Sequence, residues 1–91
     1  MRFEWDEVKR RLNIRLHGID FVDVMKVFDV ETVTLVDDRY EYGETRFLTL
    51  GLLNGIVFAI SHTETDDVIR IISARKAQKD EEITYFKEIR D

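Results

Sequence analysis

Polar and apolar positions along the chain change from a helical to a strand period near Asp29. Before that point the spacing is helical. Asp6 stands where a helix N-cap is needed, since its carboxylate can accept the free N–H groups of a first turn, and Trp5, Val8 and Leu12 recur behind it. His17-Gly18 predicts the end of that helix, because glycine accepts the left-handed backbone favoured at helix C-termini. Asp20 then opens a second helix, with Phe21, Val24, Met25 and Phe28 in the i, i+3, i+4, i+7 order of a buried stripe. Two short antiparallel helices are expected, after a short extended start at Phe3-Glu4-Trp5.

Beyond Asp29 the residues become β-branched and aromatic, in four runs: Thr32 to Val36, Arg46 to Leu53, Ile56 to Thr63 and Val68 to Ala74. Asn54-Gly55 between two of them is a strong hairpin signal, because a type I′ turn needs positive φ at both central positions. It sets Leu53 opposite Ile56, Phe47 opposite His62 and Leu48 opposite Ser61. Glu64 to Asp67 is expected to turn the chain into the last strand. Gln78 to Arg90 reads as a helix with Glu82, Tyr85, Phe86 and Ile89 along one side. The expected fold is α+β: two N-terminal helices, a four-stranded antiparallel sheet with helices mainly on one face, and a C-terminal helix. The open face of such a sheet is a natural place for a site. If Thr63 pairs with Val68, His62 and Arg75 share a face while Arg70 lies on the other beside Ser61. A slip of one residue brings Arg70 to the face of His62.

Composition narrows the choice of chemistry. The length of 91 residues fits one domain, and 44% hydrophobic with 36% charged residues fits a soluble fold. Without cysteine there are no disulfides, thiolate nucleophiles or cysteine-based zinc sites. No apolar run reaches the roughly 18–20 residues of a membrane span, and the first residues are too polar for a secretory signal. A cytoplasmic protein is the simplest expectation. The net charge of −5 hides a pattern. Acidic residues crowd the middle, while Lys9, Arg10, Arg11 and Arg15, then Arg70, Arg75, Lys76 and Lys79, lie towards the two ends. Local fields rather than net charge steer a ligand.

The chain has no glycine-rich phosphate loop, nucleophile elbow or HExxH helix, and its only two histidines are far apart in sequence. Asp37-Asp38 and Asp66-Asp67 read as turn residues, so a metal site is disfavoured. What remains is chemistry open to arginine, lysine, histidine and tyrosine, and RNA cleavage is one such reaction. The substrate brings its own nucleophile in the 2′-hydroxyl. The protein must supply a base, cations for the crowded phosphate and an acid for the departing 5′-oxygen. His62 is a candidate base or acid. Arg70, Arg75 and Lys76 are candidate phosphate ligands, and Tyr85 could stack on a base or pass a proton. Each has a structural counterpart: a hydrogen-bonded strand histidine for His62, helix packing beside Phe86 for Tyr85. Arg70, framed by Ile69 and Ile71, must leave the core or find an acid.

These residues sit within a wider pattern. Phe3-Glu4-Trp5-Asp6-Glu7-Val8-Lys9, Asn13 and His17-Gly18-Ile19-Asp20-Phe21 open it. Asp38-Arg39, Tyr42-Gly43-Glu44, Arg46 and Gly51 continue it, and His62-Thr63-Glu64, Arg70-Ile71-Ile72-Ser73-Ala74-Arg75-Lys76-Ala77, Glu82 and Tyr85 complete it. Over nearly its whole length the chain resembles the BrnT-like toxins of bacterial toxin–antitoxin modules. The resemblance implies a fold similar to RelE-type toxins and a ribonuclease that inhibits translation; from the residues, that cleavage is expected to need no metal or other cofactor. It also implies a ribbon–helix–helix, DNA-binding antitoxin as partner, whose complex with the toxin would repress their own operon. Arg70, Arg75, His62 and Tyr85 are the catalytic positions carried over, with Lys76, Arg46 and Lys9 as RNA or phosphate ligands. The chain departs from the pattern at Leu16, Thr65 and Ile56, where basic residues are frequent. Those departures leave a second expectation beside the first: a weakly catalytic or inactive module that binds the antitoxin and co-represses with it.

Overall fold

A computed structural model describes residues 1–39 and 41–90. Strand β1 (Arg2–Trp5) leads into helix α1 (Glu7–His17) and a single α-helical turn, α2 (Phe21–Val24), which tightens into a 3₁₀ helix over Met25–Asp29. Strands β2 (Thr32–Asp37), β3 (Arg46–Leu53), β4 (Ile56–Thr65) and β5 (Val68–Lys76) follow, then helix α3 (Lys79–Arg90). The strands form one sheet in the order β1-β5-β4-β3-β2.

The architecture is α+β, but three expected features give way. The sheet has five strands and is mixed, because β1 lies parallel to β5, with Phe3 opposite Ile69 and Trp5 opposite Ile71. Phe3 and Trp5 thereby reach the core, where Phe3 meets Phe28 and Trp5 meets Phe21 edge-on. The second N-terminal helix is one turn of α-helix followed by 3₁₀. Its fully buried residues Phe21, Val24 and Val27 recur every three positions, which is the 3₁₀ period. Gly51 on β3 permits this approach, since a Cβ there would overlap the Val27 side chain. Helices also cover both faces. The segment from α1 to the 3₁₀ helix packs over Ile60, Ile69, Ile71 and Ala74, while α3 packs through Tyr85 and Ile89 over Leu50, Val57 and Ala59 on the other side.

Helix α1 begins as expected, with the Asp6 carboxylate accepting from Val8 N at 2.8 Å, and ends at Gly18. Val8 and Leu12, however, are 63% and 46% exposed. The buried residue of α1 is Asn13. Its side-chain amide donates to Ile19 O and Ala74 O at 2.9 Å each, and its oxygen accepts from Ala74 N at 3.0 Å. One polar side chain thus ties α1 to β5 and to the following loop.

The β3–β4 hairpin has the expected register throughout, turning at Asn54 and Gly55 with φ of 53° and 80°. The β4–β5 hairpin takes neither expected register. It turns in two residues, Asp66-Asp67, so Thr65 pairs with Val68 and Thr63 with Arg70. Further along, Ser61 pairs with Ser73 while its neighbour His62 pairs with Ile71. Ile72 is therefore the extra residue of a β-bulge.

Candidate functional site

The bulge decides which side chains share a face. Two residues five apart on a regular strand point to opposite faces. With one residue inserted between them, Arg70 and Arg75 lie on the same face, and Ile69, Ile71 and Ala74 keep the other, buried one. Arg75 therefore does not share a face with His62.

Following the register across the sheet, Glu4, Arg70 and Thr63 stand in one row, and the alternation along β3 brings Arg46 to the end of it. The next row holds Ser73, Ser61 and Leu48, and the row beyond it Arg75 and Ala59. Arg70 and Arg75 are four β4 positions apart, which is ~13 Å at the rise of a strand. Between them the small Ser61 and Ser73 form a shallow floor. The core under α3 centres on Leu50, Val57 and Ala59 and reaches Leu48 at its edge, while Ser61 and Ser73 stay half-buried and Arg70 exposed, so the trough is partly open with Arg70, Arg46 and Arg75 around it.

The three arginines differ in what they already hold. Arg70 is exposed and, among the described residues, has no ion-pair or hydrogen-bond partner. Arg46 stacks over the Tyr42 ring, with Cζ 3.9 Å from its centroid, and donates to Glu44 at 3.3 Å. Arg75 makes a two-pronged pair with Glu81, at 2.7 and 3.0 Å. The same carboxylate accepts from Gln78 N at 2.8 Å at the start of α3. Together these bonds lower the Glu81 pKa, and the Glu81 carboxylate raises that of Arg75. Arg39 lies close enough to add its field to this pair, and it grips Asp37 by Nε and Nη2 at 2.9 and 3.0 Å. That grip holds the Asp37 carboxyl down at about 2. The role of Arg39 beside Arg75 had no signal in strand periodicity, because it comes from a loop.

The other candidates lie elsewhere. His62 is fully buried on the opposite face, stacked on Phe47 and edge-on to Phe28. Its Nε2 is joined to the Thr49 hydroxyl at 2.6 Å, and Thr49 in turn to the Thr34 hydroxyl at 2.9 Å. Nδ1 has no hydrogen-bond partner among the described residues, and the Glu64 carboxylate is 3.7 Å away. Burial lowers the His62 pKa, against the opposing pull of Glu64. Tyr85 is buried under α3, and its hydroxyl donates to Glu31 O at 2.9 Å. Lys76 ends β5 on the face opposite Arg75, and Lys9 is exposed on α1. The structure thus gathers Arg46, Arg70 and Arg75, and keeps His62, Tyr85, Lys76 and Lys9 apart from them.

Among the described residues no three His, Cys, Asp or Glu side chains group closely enough to hold a metal ion, and no helix is long and apolar enough to cross a membrane. Comparison with curated proteins gives no match. A family model described as the ribonuclease toxin BrnT of type II toxin–antitoxin systems matches residues 5–81. That span takes in α1, the whole sheet beyond β1, the bulge and all three arginines of the trough. The chain belongs to the BrnT family of ribonuclease toxins, proteins that work in two-component systems with an antitoxin.

Proposed function

We propose that RNA is bound and cleaved in the trough framed by Arg46, Arg70 and Arg75, without a metal ion. The observation that supports this most is the shared orientation of Arg70 and Arg75 on a half-open face, with Arg70 exposed and unpaired among the described residues. Guanidinium groups hold phosphate oxygens in two-pronged fashion, and the shallow serine floor leaves room for a backbone between them. The 2′-hydroxyl oxygen attacks the adjacent phosphorus and the bond to the 5′-oxygen breaks. Arginine stays protonated near neutral pH, so its part is to stabilise the charge that builds on the phosphate. Water carries the proton from the nucleophile to the departing oxygen. In this reading His62 and Tyr85 serve the packing, and Lys9 and Lys76 contribute only to the long-range field. Cleavage of cellular RNA halts translation, and a ribbon–helix–helix antitoxin neutralises the toxin and carries the complex to its operator.

The test is cleavage of a mixed RNA substrate by the purified chain in excess chelator, alongside Arg70→Ala and Arg75→Ala variants checked for folding by circular dichroism. Cleavage persisting in chelator, and falling by about 10²-fold in each variant, is the expected result. Loss of cleavage in chelator overturns the metal-free mechanism, and full activity in both variants overturns the site. A second reading, a weakly catalytic module that binds the antitoxin and co-represses, is favoured by one observation: Glu81 already occupies Arg75. A folded wild type that leaves RNA intact would establish it in place of the first.

A further inference from the structure

The two edges of the sheet are unequal. Strand β1 is four residues long and carries exposed Arg2 and Glu4, features that discourage pairing with another chain. Strand β2 has none of these protections. Thr32-Val33-Thr34-Leu35-Val36 contains no charge and no proline, and it runs beside β3 without a register shift. Val36 is 63% and Leu35 39% exposed. Among the described residues, the backbone of Thr32–Asp37 pairs with β3 alone, so the outward row of N–H and C=O groups has no protein partner.

We propose that this edge is a dimer interface, on which a second copy of the chain lays its own β2 antiparallel and joins the two five-stranded sheets into one. The sequence of β2 is complementary to itself. About an axis at Thr34, Val33 stands opposite Leu35 of the other copy on the α3 side, and Thr32 opposite Val36 on the far side. Apolar and β-branched residues therefore meet their like, and such cross-strand pairs stabilise a sheet. The one approach of like charges, Glu31 to Asp37 of the second copy, is softened because Asp37 is already gripped by Arg39. Six residues make a small interface, below the roughly 1,200 Å² of stable complexes, so the dimer is weak and concentration-dependent. None of the three trough arginines lies on this strand, although Arg46 pairs with Asp37 at its end.

Sedimentation velocity on the chain alone, from roughly 10 to 500 µM, tests this, since an association of this size belongs in the micromolar range. The variants are Val36→Lys and Leu35→Lys, whose parent side chains are exposed, with Ile83→Lys on the outer side of α3 as control. Expected are a monomer–dimer equilibrium for the wild type and the control, and monomer for the two β2 variants at every concentration. Amide exchange within Thr32–Asp37 should also slow as wild-type concentration rises. A wild type that stays monomeric throughout overturns the proposal and leaves the edge for a strand from a different protein. A dimer that survives Val36→Lys but not Ile83→Lys overturns it equally, by moving the interface to α3.

Discussion

Glu81 holds Arg75 by both terminal guanidinium nitrogens at the point where α3 meets the trough, and both side chains are largely shielded, at 25% and 14% exposure. The helix that covers half the sheet therefore also supplies a carboxylate in the place a phosphate would take. If RNA binds as proposed, it has to share Arg75 with Glu81 or displace it.

Glu81→Gln should accordingly tighten RNA binding several-fold while costing about 1–2 kcal/mol of stability, the worth of a charge-assisted contact. Fluorescence anisotropy of a single-stranded RNA, read across salt concentrations, measures the first effect and urea unfolding the second. The salt dependence should steepen by about one phosphate contact. Weaker binding in a folded variant would mean that Glu81 aims Arg75 rather than screens it.

His62 gives the fold a pH dependence whose sign follows from its burial. Its folded pKa lies below the ordinary 6.5, so the unfolded chain takes up the proton first as pH falls. Stability from this group is complete above about pH 6.5 and declines below it, until the folded pKa is passed. Urea midpoints at about pH 7.5 and about pH 5 should differ more for the wild type than for His62→Phe, which keeps an aromatic ring beside Phe28 and Phe47. RNA cleavage by folded His62→Phe should persist. Its disappearance would return the imidazole to the chemistry.

Asn13→Ala removes three hydrogen bonds at once and strands the N–H and C=O of Ala74 and the C=O of Ile19 in the interior. A loss of about 2–4 kcal/mol is expected, measured by denaturant unfolding. Asn13→Asp should not restore it, because a carboxylate lacks the two donated bonds.

How far the sequence could be read depended on the range over which each feature is encoded. Asn54-Gly55 encodes its turn within two residues, and the whole β3–β4 register followed from it. The caps at Asp6 and Gly18 are equally local. Strand β1 was legible only as an extended start, because its partner β5 lies far along the chain and parallel pairing leaves no turn to mark it. Val8 and Leu12 suggested an inward stripe on α1, yet the polar Asn13 is the residue that docks the helix, and periodicity counts only apolar positions. The trough depended on one inserted residue. Ile72 looks like any other β-branched strand residue, so alternation alone sent Arg70 and Arg75 to opposite faces.

The same bulge guards the folding of the hairpin. If β5 slid by one residue against β4, the isoleucines would turn outward and both guanidinium groups inward, against Phe21 and Val24. Burying an unpaired guanidinium costs several kcal/mol, far more than the hydrogen bonds of a shifted ladder could return. A hairpin without the bulge could satisfy only one arginine at a time. The two cations that face the trough thus also act as sentries over the pairing of the strand that carries them, since a misaligned hairpin would have to bury one of them.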